Sequence, residues 1–85
     1  MLRIKESVNL KELEKFGLKY KKYEDDFEMY EWISETTDRF EYVDVYIWNR
    51  EITVGNANDV LFDMIQAGLV EKIWYKMYLK SKKLG

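Results

Sequence analysis

Apolar and polar residues alternate most regularly along "EYVDVYIWNREITVG", residues 41 to 55. Val43, Val45 and Ile47 fall on one side of a strand with a period of two, so the pattern predicts that this side faces a core. The other side carries Tyr42, Tyr46 and Trp48 around a carboxylate, Asp44. A carboxylate is costly to bury unpaired. The role of this second side is therefore the main question that the sequence raises.

The same period of two predicts the other strands of one antiparallel sheet. "LRIKE" indicates a short first strand, which we expect at an edge of the sheet. "LKYKKY" and "FEMYEWIS" form a predicted hairpin around the acidic turn "EDD", and "EYVDVYIWN" is followed by its return partner "REITV". In the second strand of the first hairpin, Tyr30 and Trp32 share one side, which we expect to adjoin Tyr42 and Tyr46. The sheet should span residues 18 to 54.

Two short helices interrupt this pattern. Asn9 is a typical N-cap residue and Gly17 a typical C-cap residue, so we predict a helix over residues 10 to 16. A second apolar stripe with helical spacing predicts a helix over residues 58 to 67, which Gly68 ends. Helices this short are stable only when their apolar sides are buried. We expect both to pack on the side of the sheet that carries Val43.

The tail "LVEKIWYKMYLKSKKLG" combines aromatic residues, which favour a strand, with a charge spacing that favours a helix. We favour a C-terminal basic amphipathic helix with four lysines on one stripe: Lys72, Lys76, Lys80 and Lys83. The predicted fold class is therefore α+β: a small antiparallel sheet of four to five strands, two short helices on one face, and this helix. At 85 residues the chain supports a single domain, residues 1 to 85.

Composition excludes several kinds of chemistry. The chain has no Cys and no His, which removes thiolate nucleophiles, zinc sites with these ligands, and acid-base catalysis by histidine. The carboxylate pairs, Asp59 with Asp63 and Glu24 to Asp26, are explained by helix capping and by a solvated turn. No glycine-rich phosphate loop is present. We therefore expect no enzymatic activity, no cofactor and no metal.

Apolar residues do not accumulate as they would in a membrane segment. The first residues, "MLRIKESVNLKELEK", carry charges throughout, and no run reaches the roughly 18 apolar residues of a membrane span. With no Cys to suggest an oxidising compartment, we expect a cytoplasmic protein without a membrane partner.

The net charge of −2 conceals a strong segregation. Residues 1 to 22 carry +4, residues 23 to 44 carry −8, and residues 45 to 85 carry +2. These charges either solvate exposed faces or form an acidic surface that attracts a basic partner.

Three interpretations of the aromatic side compete. In the first, the tail helix covers it, and we expect this at Trp48, whose indole would be buried. In the second, the side is exposed and binds a basic protein, with Trp32 in the contact surface, because Tyr and Trp are enriched among the residues that dominate binding. The residues of this candidate surface are Glu28, Tyr30, Glu31, Trp32, Tyr42, Asp44 and Tyr46. In the third, the rings stack on single-stranded nucleic acid and the four tail lysines hold the phosphates, although the acidic residues on the same strands oppose this.

The segments "NLKELEKFGLKY", "YEWIS", "YVDVYI" and "DVLFDMIQAGLVEKI" occur in an order that resembles small phage and prophage proteins of Gram-positive bacteria. The similarity covers residues 7 to 73 and excludes "WYKMYLKSKKLG". That family has no assigned activity, and the resemblance implies a phage context in a host cytoplasm. In that context, small acidic proteins often act by binding host or phage proteins, and some inhibit defence systems that target DNA. We therefore expect a non-enzymatic protein-binding module, with a nucleic-acid binder or a structural, oligomeric phage component as alternatives.

Overall fold

The computed structural model describes residues 1–36, 38–56 and 58–73. This part of the chain contains six strands: β1 (Leu2–Ile4), β2 (Lys19–Lys22), β3 (Glu28–Glu35), β4 (Phe40–Tyr46), β5 (Ile52–Gly55) and β6 (Val70–Lys72). It also contains a 3₁₀ helix, Leu10–Phe16, and an α-helix, α1 (Asn58–Gln66). The predicted α+β class is confirmed.

Four strands form an antiparallel sheet in the order β2-β3-β4-β5, so both predicted hairpins are confirmed. The first strand occurs as predicted, but its expected place at an edge of this sheet is wrong. β1 pairs with β6 in a separate two-stranded sheet, and Arg3 Nε donates a 2.7 Å hydrogen bond to Glu71 across this pair. Because the pairing joins the two ends of the described chain, the short segment "LRIKE" contained no local signal for it. A bridge between Arg3 and Glu51 links β1 to the main sheet.

Both short helices occur where the sequence places them. The first is a 3₁₀ helix in which Asn9 Oδ1 accepts a 2.9 Å hydrogen bond from the Lys11 N–H, and Gly17, at φ 90°, ends it. A left-handed residue at this position favours glycine, which has no Cβ to clash. Gly68, at φ 79°, follows α1 in the same way.

The core lies between one side of the main sheet and the two helices. Val43 and Val45 of β4 are fully buried there, as predicted. Leu13 from the 3₁₀ helix and Met64 from α1 are also fully buried in the same cluster, and Ile47 packs against its margin. This "core face" of the sheet therefore supplies the apolar burial on which so small a domain depends.

The tail prediction is wrong at its start, where Val70–Lys72 is strand β6 and not helix. Pairing with β1 satisfies backbone groups that a helix would otherwise bond internally. Lys72 is exposed on this strand, whereas Lys76, Lys80 and Lys83 lie outside the described residues. In the described ranges, no helix has the length and apolar character needed to cross a bilayer.

Candidate functional site

The register of the main sheet divides the predicted surface between two sides. Tyr30 faces Val45 across the β3–β4 pair, and Trp32 faces Val43. Directly opposed residues of an antiparallel pair project to the same side of the sheet. Tyr30 is therefore buried in the core and Trp32 packs against it. The expectation that these two rings adjoin Tyr42 and Tyr46 is wrong.

The error arises because the side that each strand presents depends on its register, and a shift of one residue exchanges the two sides. Both sides of β3 carry apolar and aromatic residues, so its sequence did not decide between them. Glu28 also alternates with Tyr30 on the core side of β3, at the strand end, where its Oε1 accepts a 2.5 Å hydrogen bond from the Tyr20 hydroxyl. This bond raises the pKa of Tyr20.

The other four predicted residues do share one side, which we call the outer face. It is the side of the main sheet opposite Val43 and Val45. Its strand residues include Lys19, Lys21, Met29, Glu31, Ile33, Tyr42, Asp44, Tyr46 and Thr53.

A carboxylate pair occupies the centre of the outer face. Glu31 and Asp44 are direct partners in the β3–β4 register, and the Glu31 side chain is only 8% exposed. Lys21 Nζ lies 3.5 Å from Glu31 Oε1, and the Tyr23 hydroxyl donates a 3.1 Å hydrogen bond to the same oxygen. Asp44 Oδ1 is buried and has no hydrogen-bond partner in the described part of the chain.

These surroundings explain why the pKa values of the Asp44 carboxyl and the Tyr23 hydroxyl are raised. Burial, followed by a hydrogen bond to Glu31 and repulsion by the Glu31 charge, raises the pKa of the Asp44 carboxyl from 3.8 to about 7. Lys21 opposes this rise. The hydrogen bond to Glu31 also raises the pKa of the Tyr23 hydroxyl.

Aromatic rings flank the carboxylate pair on both sides. Phe40 and Tyr42 lie with ring centroids 5.7 Å apart towards one end of the sheet, and Phe27 and Tyr46 lie 5.4 Å apart towards the other. Tyr42 packs over Gly55 of β5, where a Cβ atom would overlap its ring. Because glycine has no Cβ, Gly55 leaves room for the Tyr42 ring, which belongs to one of the two aromatic flanks.

The second flank continues into an exposed aromatic group, the sheet-end cluster, which consists of Phe27, Tyr46 and Trp48. Trp48 is 78% exposed, and Phe27 is 40% exposed. A cleft of about 220 Å³ is lined by all three rings together with Asn49 and Glu51. A neighbouring cleft of about 400 Å³ is lined by Phe27, Trp48, Ile47, Asp26 and Glu28. Each cleft thus combines aromatic surface with at least one carboxylate.

Arg50 fixes the turn that carries Trp48. Its Nη1 atom donates hydrogen bonds to the carbonyls of Lys5 (2.8 Å) and Val8 (2.7 Å), and its backbone N–H donates to the Tyr46 carbonyl (2.8 Å). The Arg50 carbonyl accepts a 2.8 Å hydrogen bond from the Ile4 N–H. These hydrogen bonds tie the turn to the N-terminal segment and hold the backbone at Trp48 in place.

Sequence reasoning missed Trp48 as a surface residue, because we expected the tail to bury it; its exposure shows that expectation to be wrong. A usable signal was present in "WNRE", since Trp48 directly precedes the predicted turn and turns lie at the surface. Phe27 carries the same signal, because it directly follows "EDD".

No group of three or more potential metal-binding side chains occurs among the residues that the structure describes. Comparison of the chain with protein-family models, curated proteins and solved structures found no match. The resemblance to phage proteins accordingly stays a prediction, and the function is argued from the geometry of the surface.

Proposed function

We propose that the protein is a non-enzymatic binding module that contacts a basic protein through the sheet-end cluster and the adjoining outer face. The observation that carries this proposal is the exposure of Trp48, the most exposed large apolar side chain in the described part of the chain. Tryptophan is among the residues that contribute most to binding when a partner buries them. Its backbone is held by the hydrogen bonds of Arg50, which lowers the ordering cost of binding.

Charge supports a basic partner. Asp26, Glu28 and Glu51 line the two clefts beside Trp48, and the strongly acidic residues 23 to 44 supply the first two of these. A lysine or arginine of the partner can stack on the exposed rings while a carboxylate neutralises its charge. The negative potential of this region also accelerates encounter with a positively charged surface.

The biological setting is proposed from the resemblance to phage proteins. In a phage context, the basic partner would be a host nucleic-acid-binding or defence protein, which the module inhibits in the cytoplasm of the host cell. Such partners carry basic surfaces because they bind phosphate backbones. An acidic module can occupy such a surface in place of nucleic acid.

The same carboxylates argue against direct binding of single-stranded nucleic acid, because they repel phosphates next to the rings on which bases would stack. A fluorescent oligonucleotide titrated at increasing salt distinguishes the two functions. We expect no binding at physiological salt. Tight binding that weakens steeply with salt would instead support the nucleic-acid alternative, and a self-associated species in light scattering would support a structural component.

Affinity capture with matched variants tests the proposal directly. Immobilised wild-type protein, Trp48→Ala and Phe62→Ala are incubated with a host lysate treated with nuclease. Phe62 is the control because it is 58% exposed on α1 and does not line the clefts beside Trp48. We expect the wild type and Phe62→Ala to retain a basic protein that Trp48→Ala loses. Equal retention by all three proteins would contradict the proposed contact surface.

A further inference from the structure

The outer face contains two carboxylates whose surroundings are unequal. Glu31 and Asp44 are opposed across β3 and β4, so their side chains project to the same side of the sheet. Glu31 has two partners, the ammonium of Lys21 and the hydroxyl of Tyr23. Asp44 has a buried oxygen without a donor in the described part of the chain. In the described part of the chain, Glu31 therefore has a cation within ion-pair distance, whereas Lys21 acts on the Asp44 charge only from farther away.

The groups around Asp44 in the described residues do not supply the missing donor. Thr53 faces it from β5, but the Thr53 hydroxyl donates to the Tyr46 hydroxyl at 3.5 Å. From β2, Lys19 and Lys21 face Glu31 and Met29 in the register, and the Lys21 ion pair is made to Glu31. On β4 itself, the neighbours on the same side are Tyr42 and Tyr46. A proton on Asp44 removes its charge and supplies an O–H that donates a hydrogen bond to Glu31.

We propose that Glu31 and Asp44 share one proton at neutral pH, carried on Asp44. Loss of this proton lowers the stability of the sheet and adds a negative charge to the outer face, so both properties change with pH around neutrality. Two carboxylates that face each other across paired strands in a partly dry site titrate as a pair, and the second ionises only at a raised pH. The raised pKa of Asp44, about 7, agrees with this arrangement. The inference does not depend on the proposed partner, because it concerns the protein alone.

The direction of the effect follows from proton linkage. The folded protein holds the Asp44 proton up to about pH 7, whereas the unfolded chain releases it near 3.8. Between these values the folded state binds more protons than the unfolded state, so the free energy of unfolding falls as pH rises. The contribution is complete below the unfolded pKa and is lost as pH passes through 7. An exposed carboxylate produces no such dependence in this range.

Urea unfolding between pH 5 and pH 8 tests the proposal on three proteins: the wild type, Asp44→Asn and Glu35→Gln. Asparagine has nearly the shape of the protonated acid and donates a hydrogen bond at every pH. Glu35 is an exposed acid on the same side of β3 and serves as the matched control. We expect the urea midpoint of the wild type and of Glu35→Gln to fall across this range, and the midpoint of Asp44→Asn to fall much less. Parallel falls in all three proteins would overturn the proposal.

A direct titration keeps the proposal testable if Asp44→Asn does not fold. Wild-type protein labelled with ¹³C at aspartate is followed by carboxyl NMR from pH 3 to pH 9. We expect the Asp44 carboxyl to shift with a midpoint near 7 while the other aspartates titrate at ordinary values. Midpoints below about 5 for every aspartate would exclude a shared proton at neutral pH.

Discussion

The core face and the outer face of the main sheet are formed by the same strands but differ in the side chains at their centres. On the core face, Val43 and Val45 are fully buried under Leu13 and Met64 from the helices. On the outer face, Asp44, the one residue between them in sequence, lies opposite Glu31, with aromatic rings on either side. The helices cover the core face with apolar side chains. The outer face instead has two carboxylates at its centre, which do not contribute to apolar packing.

This difference distinguishes a side of the strand that stabilises the fold from a side that contributes less to stability. Burial of apolar surface is the largest favourable contribution to folding, and the core face supplies it. A carboxylate pair on the outer face lowers stability when both groups are charged. Residues that do not stabilise the fold are candidates for another role, which is why we propose partner contact on the outer face and at its exposed end.

Truncation in the core should produce the largest effect. Met64→Ala truncates a fully buried side chain that α1 contributes to the core cluster, and we expect it to lower the free energy of unfolding by about 2 to 5 kcal/mol. Phe62→Ala, two residues earlier and exposed, should change it by less than about 0.5 kcal/mol. Urea denaturation of both variants provides the measurement. A small loss for Met64→Ala would mean that the core face does not carry the stability of the domain.

The outer face should respond to an added methyl group. Gly55→Ala introduces a Cβ that overlaps the Tyr42 ring, and overpacking of this kind costs about 1 to 3 kcal/mol. Because the cost arises from one contact, Tyr42→Ala should relieve it, so the double variant should be more stable than the sum of the single losses predicts. A double-mutant cycle by thermal or urea unfolding measures this coupling. Additive losses would show that the ring does not occupy the space above Gly55.

Much of the architecture could be predicted because its signals are local. Asn9 and Gly17 set the first helix, and the period of two set the four strands of the main sheet. The pairing of β1 with β6 could not be predicted, since it joins segments about 68 residues apart through the Arg3–Glu71 contact. Short terminal strands have no turn between them to fix their partner.

The candidate site was predicted only in part, for a related reason. Tyr42, Asp44 and Tyr46 lie on one side of β4, as alternation predicted, but it is Glu31 that shares this side from β3, whereas Tyr30 and Trp32 belong to the core face. Alternation shows which residues of one strand lie together, but the register between two strands decides which sides meet. Where both sides of a strand carry large apolar residues, that choice depends on tertiary packing.

Side-by-side urea unfolding of Trp32→Ala and Trp48→Ala tests the separation of folding from binding most directly. Trp32 packs against the core, so we expect its removal to cost about 2 to 4 kcal/mol, less than for a fully buried indole because the ring is partly exposed. Trp48 is exposed, so its removal should change the free energy of unfolding by less than about 0.5 kcal/mol. Large and equal losses in the two variants would contradict the account, because they would place Trp48 in the structural core and remove the proposed contact surface.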